Sequence, residues 1–247
     1  MPFTFSHPAV VLPLHRLFGS ASLTGLVVGS MAPDFEKFIK LGSGNTYSHT
    51  LLGVFWFSLP ISILIALVFH LVVRNTLIDS LPGLLRRRFS RYKNFNWVAH
   101  FNRHYKAIIL SIVVGALTHL LWDAFTHKHS FVADLVPQLR QKISFETFSL
   151  PVYLVMQLIS SLFGLLYILY VVYRMLSSET PAAPEFSPWL YWLTVMLIMG
   201  AVMGVRFWVE AAYPMDVIFT TIAAFLLGIT LAPFLQPGKR VYPFWQA

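Results

Sequence analysis

The sequence predicts an all-α fold, a polytopic membrane helical bundle, on three observations. Of its 247 residues 57% are hydrophobic and only 11% are charged, and the mean hydropathy of +0.67 lies far from that of an average soluble domain. Five apolar runs are each long enough to cross roughly 30 Å of hydrocarbon, which takes about 20 helical residues. The basic residues behind the net charge of +8 cluster beside those runs, where they fix orientation and meet anionic lipid head groups. A membrane lipid is therefore the expected partner, and nucleic acid is not.

In chain order, the start "MPFTFSHPAVVLPLHRLF" has no positive stretch before its apolar residues and no small-residue cleavage site after them, so no removed signal peptide is expected. Residues 8–31 are interrupted by Pro13, His15, Arg16 and a Gly-Ser-Ala-Ser sequence, which predicts two half-helices folding back at Phe18–Ser22. Non-helical backbone at membrane depth needs protein or water over its polar groups, so this hairpin is expected inside the bundle. Full spans follow at approximately 50–73, 106–126, 149–173, 188–209 and 213–235. A single integral membrane domain over 1–247 is expected, with a metal-site half at 1–130 and additional membrane helices at 131–247.

Charge sets the orientation. Between Arg74 and Lys106 stand eight basic residues against one acid, Asp79, which predicts a cytoplasmic loop. The tail with Lys239 and Arg240 belongs on the same side. Five crossings between these anchors bring His49 and the end of the 106–126 span to the outer face of a bacterial cytoplasmic membrane. If residues 8–31 turn back, His7 and Asp34 reach that face too, with Arg206, Glu210 and Asp216 near the same level.

The stretch "GALTHLLWDAFTHKHSF" carries His119, Asp123 and His127 at steps of four. Each step turns about 40° past a full turn and rises about 6 Å, so the three line one stripe. His119 and Asp123 suit one metal ion, and a bridging Asp123 would let His127 reach a second about 3.5–4 Å away. Imidazole with carboxylate suits zinc, and also manganese or iron. The alternative is a set of polar residues at a helix end bonding water and head groups, but ionisable residues within spans are usually functional. With no cysteine in the chain, thiolate sites, disulfides and cysteine nucleophiles are excluded. His100 and His104 share ligand spacing but fall in the basic loop, and His70 and His15 are expected to bond within the bundle. His129 is either a further ligand or an exposed neighbour of Lys128.

The blocks "PFTFSHPAVVLPL", "GSMAPDFEKF", "YSHTLLG" and "GALTHLLWDAFTH" resemble, in this order and over essentially the whole chain, a bacterial multi-pass membrane family of unknown function. Over the first 130 residues the chain is also distantly similar to membrane-bound metal-dependent hydrolases, which share an early His, a Pro-Asp element, a Ser-His-Thr or Thr-His-Ser element and a His-x-x-x-Asp helix. Here the Pro-Asp element reads "PDFE" where the cousins commonly carry two acids, which leaves the number of metals open. The resemblance implies His7, Asp34, His49, His119, Asp123 and His127 as metal ligands. A looser likeness of motif order to zinc-dependent phospholipases C hints at substrate.

These observations lead to the expectation of a metal-dependent hydrolase acting on a lipid or lipid-linked phosphoester at the membrane surface. Metal ions would polarise a phosphoryl or acyl oxygen and activate water near neutral pH. Asp34 or Glu36 would orient that water or act as general base, and Arg206 would steady an anion. Glu36 is equally a helix-start charge, and Arg206 equally a partner for Glu210 one turn on. The competing expectation is a transporter or metal-binding scaffold, although transporters usually show internal repeats and broken helices at the midplane.

Overall fold

The computed structural model describes residues 3–93, 95–144, 147–177, 184, 186–209 and 213–236. Glu210, the tail with Lys239 and Arg240, and residues 178–183 of the linker before the fourth span lie outside them. Among the described residues five helices are long and apolar enough to cross a membrane, and strand is confined to one short hairpin. The all-α polytopic bundle expected from the sequence is the fold of this chain.

The interrupted N-terminal stretch forms two helices, α1 (Pro8–Leu17) and α2 (Leu23–Met31). Ser22 caps α2 by accepting from the Gly25 N–H, and its own N–H donates to Ser111 Oγ at 2.9 Å. His15 closes the reversal, its Nδ1 lying 3.0 Å from the Ala21 carbonyl. A carbonyl only accepts, so that nitrogen carries the proton. A 3-10 turn, Ala32–Asp34, leads into the short α3 (Phe35–Lys40).

The first span, α4 (Leu51–Ser80), runs past the expected end at residue 73. Arg74 does not end it, because its guanidinium is satisfied locally, donating to the Phe95 carbonyl at 2.8 Å and to Asn75 Oδ1 at 3.0 Å. Two stretches of α4, Val54–Ser58 and Phe69–Val73, take the wider π geometry. The basic α5 (Gly83–Phe89) follows, and then α6 (Trp97–Thr126), which starts nine residues before the expected 106 and kinks at His104. After α7 (Phe131–Leu135) an antiparallel hairpin of β1 (Lys142–Ser144) and β2 (Ser149–Pro151) precedes α8 (Val152–Arg174). The last two spans are α9 (Pro188–Val209) and α10 (Pro214–Leu231), the latter ending in a 3-10 turn to Leu235.

The chain divides into two compact units that interleave along the sequence. The first takes residues up to Asp34, Thr46–Ile63 and Tyr105–Arg174; the second takes Phe35–Asn45, Leu64–His104 and residues from Met175 on. In the first unit, small residues bring α2 and α6 into backbone contact. A Cβ on Gly29 would strike the backbone of Ile112, and one on Gly115 the backbone of Leu26 and Ser30. Close approach of this kind is how membrane helices associate, since lipid tails are as apolar as leucine and burial alone gives little.

The second unit packs α9 on α10 around the buried Tyr191, Val195 and Ala232. The Trp192 indole N–H donates to the Ser80 carbonyl at 2.8 Å. Near the basic loop, Lys93 makes a two-oxygen ion pair with Asp79 at 2.7 and 2.8 Å.

Candidate metal centre

Four separate segments of the first unit deliver its ionisable side chains to one place, each held by neighbours that need no metal. The turn Thr4–Ser6 leads to His7 at the start of α1. It is fastened to α8, with Ser6 Oγ donating to the Ser161 carbonyl and the Phe3 N–H to Ser161 Oγ, both at 2.9 Å. Asp34 ends the turn after α2, and its Oδ2 accepts from Thr4 Oγ1 at 2.6 Å. His49 precedes the N-cap of α4, where Thr50 Oγ1 accepts from the Gly53 N–H; its Nδ1 lies 2.9 Å from Ser48 Oγ. His119 and Asp123 come from the last turns of α6, and His127 is the residue just after its end.

The orientation of His119 follows from one contact. Its Nδ1 lies 2.7 Å from the Ser30 carbonyl, so that nitrogen bears the proton and, in the neutral ring, Nε2 presents a bare lone pair. Such a bond on the far nitrogen is the usual support of a metal-ligating histidine. The Nε2 of His119 is 3.3 Å from His49 Nε2, 3.4 Å from Asp123 Oδ2 and 3.7 Å from Asp34 Oδ1. His49 Nε2 stands 3.4 Å from both Asp34 Oδ1 and Asp123 Oδ2.

These four atoms are all of kinds that could ligate a metal ion, and their spacing can be set against that of a coordination shell. Ligands about 2.0–2.1 Å from a tetrahedral ion lie roughly 3.3–3.4 Å from one another. The five separations just given run from 3.3 to 3.7 Å. The second carboxylate oxygen of Asp123 turns to another pair, lying 3.7 Å from His7 Nε2 and 3.7 Å from His127 Nδ1. The imidazoles of His7 and His119 stack at 3.8 Å.

Burial makes this arrangement unfavourable by itself. His7, Asp34, His119 and Asp123 are buried. Among the described residues neither ring nitrogen of His7 nor either carboxylate oxygen of Asp123 has a hydrogen-bond partner. Buried polar atoms are nearly always paired; what faces Asp123 are imidazole nitrogens, those of His49 and His119 at 3.4 Å and those of His7 and His127 at 3.7 Å. Burial, followed by the neighbouring His119, pulls the His7 pKa down from 6.5 to about 3, so His7 is a neutral imidazole at ordinary pH. Two triads, the buried His7–His119–Asp123 and Asp34–His49–His119 with its half-buried His49, have the donor atoms and spacing that could hold a metal ion.

The structure thus brings five of the expected residues into one cluster and leaves His127 at its rim. His127 has the most exposed side chain of the six, at 32%, and its Nδ1 is tied to the Asp123 carbonyl at 2.9 Å. Glu36 and Arg206 belong to the second unit. There the Glu36 carboxylate pairs with the Lys40 ammonium, and Arg206 lies within electrostatic reach of Asp216.

Of the other histidines, His70 accepts from Arg74 at 3.0 Å and stacks on Trp97. His100 and His104 face each other at 4.7 Å in the second unit, and His129 is exposed. Sequence reasoning missed Thr4, although it stands in the quoted block "PFTFSHP". It also missed the Ser30 carbonyl, which is 89 residues from His119 and leaves no trace in side-chain chemistry.

Comparison with known proteins gives a family but no activity. A family model described as a domain of unknown function (DUF4184) matches residues 1–234. No curated protein matches the chain, and no solved structure does. The resemblance to metal-dependent hydrolases has no counterpart in these comparisons.

Proposed function

The chain belongs to the DUF4184 family, and from that premise we propose that it is a membrane-embedded metal-dependent hydrolase of a lipid or lipid-linked phosphoester. The observation that supports this is the largely buried set of nitrogen and oxygen atoms around His119, whose spacing suits a cation. Zinc fits the two-imidazole, two-carboxylate set best, with manganese or iron as further candidates. A divalent cation there supplies Lewis acidity toward a phosphoryl oxygen and toward water.

Within this reading Asp34, His49, His119 and Asp123 hold the first ion. Asp123 offers its other oxygen, with His7, toward a second. Thr4 and the Ser30 carbonyl fix the first set in place, which lowers the reorganisation needed when charge builds up on a substrate. His127, half-open at the rim, meets whatever enters and holds or releases a proton at its ring. Glu36 is engaged with Lys40, so the proposal does not give it the general-base role, and it gives Arg206, which belongs to the second unit, no part in steadying an anion. The site takes the outer face of a bacterial cytoplasmic membrane, where a substrate diffusing in the bilayer can reach it.

Purified protein tested for bound metal and for release of phosphate-containing head groups from a phospholipid panel distinguishes the possibilities. Metal with hydrolysis supports the proposal. Metal without hydrolysis of any lipid or lipid-linked phosphoester reduces it to a metal-binding scaffold, and absence of metal removes it.

A further inference from the structure

The first unit also carries a groove of about 320 Å³ between α1, α6 and α8, within the range of small-molecule sites. Val10, Leu121, Phe125 and Met156 line it with apolar atoms, together with the Trp122 ring. Its remaining lining residues are Thr118, Thr126 and Ser160, and each of their hydroxyls is already committed. Thr118 donates to the Gly115 carbonyl at 2.7 Å, Thr126 to Trp122 at 3.2 Å and Ser160 to Gln157 at 3.2 Å. The Trp122 indole N–H is also used, donating to Ser160 Oγ at 3.1 Å. A polar ligand would lose its water there and find no donor in return. Hydrocarbon loses nothing.

The position of the groove ties it to the cluster. On α6 its residues centre about 130° round the helix from the stripe of His119, Asp123 and His127, and Trp122 and Thr126 form the shared edge. The Trp122 ring lies 5.1 Å from that of His7, and Thr126 Oγ1 is 3.5 Å from His127 Nδ1. A chain seated in the groove therefore leaves whatever it is attached to beside His127, the most exposed member of the cluster. The cluster itself carries the carboxylates of Asp34 and Asp123, so it would take a phosphate oxygen only through a divalent cation held there, as in the proposed hydrolase.

We infer that the groove binds an acyl chain of a membrane phospholipid whose phosphate head group rests against the metal centre. The head-group contact rests on the proposed hydrolase, whereas the chain site stands on the groove alone. It names the substrate class as a diacyl phospholipid that is held by one tail while its phosphoester meets the cluster.

The test uses the full chain in lipid nanodiscs doped with phosphatidylglycerol carrying a photoreactive diazirine on one acyl chain. After irradiation, the labelled positions are mapped by peptide mass spectrometry and bound metal is measured on the same sample. Leu121, Phe125 and Met156 should be labelled at least about tenfold more than Leu158, Leu165 and Leu169, a preference of about 1.4 kcal/mol. The latter three are exposed on the opposite face of α8. Met156→Trp fills the groove and should abolish this excess while leaving opposite-face labelling and metal content unchanged. Equal labelling of both faces, the signature of annular lipid only, overturns the proposal whatever the metal content. Groove labelling in a protein that holds no metal upholds the chain site and overturns the head-group contact and the hydrolase together.

Discussion

His49 and His119 point their Nε2 atoms at each other across 3.3 Å, with Asp34 and Asp123 oxygens 3.4–3.7 Å from them. His119 commits its Nδ1 proton to the Ser30 carbonyl, so its neutral ring turns a lone pair toward this set and each member counts as a ligand for a bound cation. Removing a member of the set should therefore empty it. Bound zinc, manganese and iron, measured by elemental analysis, should fall by more than about tenfold in Asp123→Ala and His119→Ala. His104→Ala, in the second unit, should match wild type. Equal metal in all of these proteins would end the assignment.

Thr4 tests the support of the site without touching a ligand. Its hydroxyl donates to Asp34 Oδ2 at 2.6 Å, leaving Oδ1 turned toward the two histidines. Thr4→Val keeps the shape and deletes the donor, and should weaken metal affinity by about 10- to 100-fold. Competition with a chromogenic chelator reads this directly; an unchanged affinity would make Thr4 incidental.

The depressed pKa of His7 gives the metal-stripped protein a definite pH dependence. Burial holds the folded value near 3 against an ordinary 6.5, so below about pH 6.5 the unfolded chain binds a proton that the folded chain refuses. Stability from this group is present above pH 6.5 and is lost as pH falls toward 3, with a slope approaching about 1.4 kcal/mol per pH unit. Unfolding of chelator-treated protein in mixed micelles between pH 7 and pH 5 measures it. His7→Asn should flatten the slope, and a slope identical to wild type would show that His7 is not its source.

Close backbone contact between α2 and α6 predicts sensitivity at a glycine. Gly29→Ala would drive a methyl group into the Ile112 backbone and should destabilise the folded state by about 1–3 kcal/mol. Bound metal should fall in parallel, since the same contact sets the Ser30 carbonyl against His119. Wild-type thermal stability in Gly29→Ala would mean that the helices are not packed this tightly.

Orientation can be checked against the charge of the basic loop. The chain lacks cysteine, so Thr46→Cys, Lys128→Cys and Leu84→Cys provide single exposed thiols. An impermeant maleimide should label positions 46 and 128 in intact cells and position 84 only after permeabilisation. The reverse pattern would turn the metal centre toward the cytoplasm.

Much of this molecule is written in its side-chain sequence. Apolar runs announce the five spans, Pro13 and the Gly-Ser-Ala-Ser stretch announce the hairpin, and four-residue spacing puts His119, Asp123 and His127 on one stripe. The span ends were less legible. A basic residue after an apolar run predicts the end of the span, yet Arg74 finds three partners inside the protein and the helix continues past it. The β1–β2 hairpin left no usable pattern, being only three residue pairs long. The sharing of His119 between two ligand triads depends on where a backbone carbonyl lies, and carbonyls are the same in every residue.

The pinning of the Thr4–Ser6 turn to Ser161 has a consequence for biogenesis. All six candidate ligands lie within the first 127 residues and are synthesised early, as the chain is threaded into the bilayer from its N-terminus. His7, however, is steadied by a segment that leaves the ribosome later. A nascent chain ending before α8 would carry every ligand and still lack the clamp that sets the first of them. In the proposed hydrolase, completion of the second site, the one His7 would serve, would therefore wait for arrival of the third span.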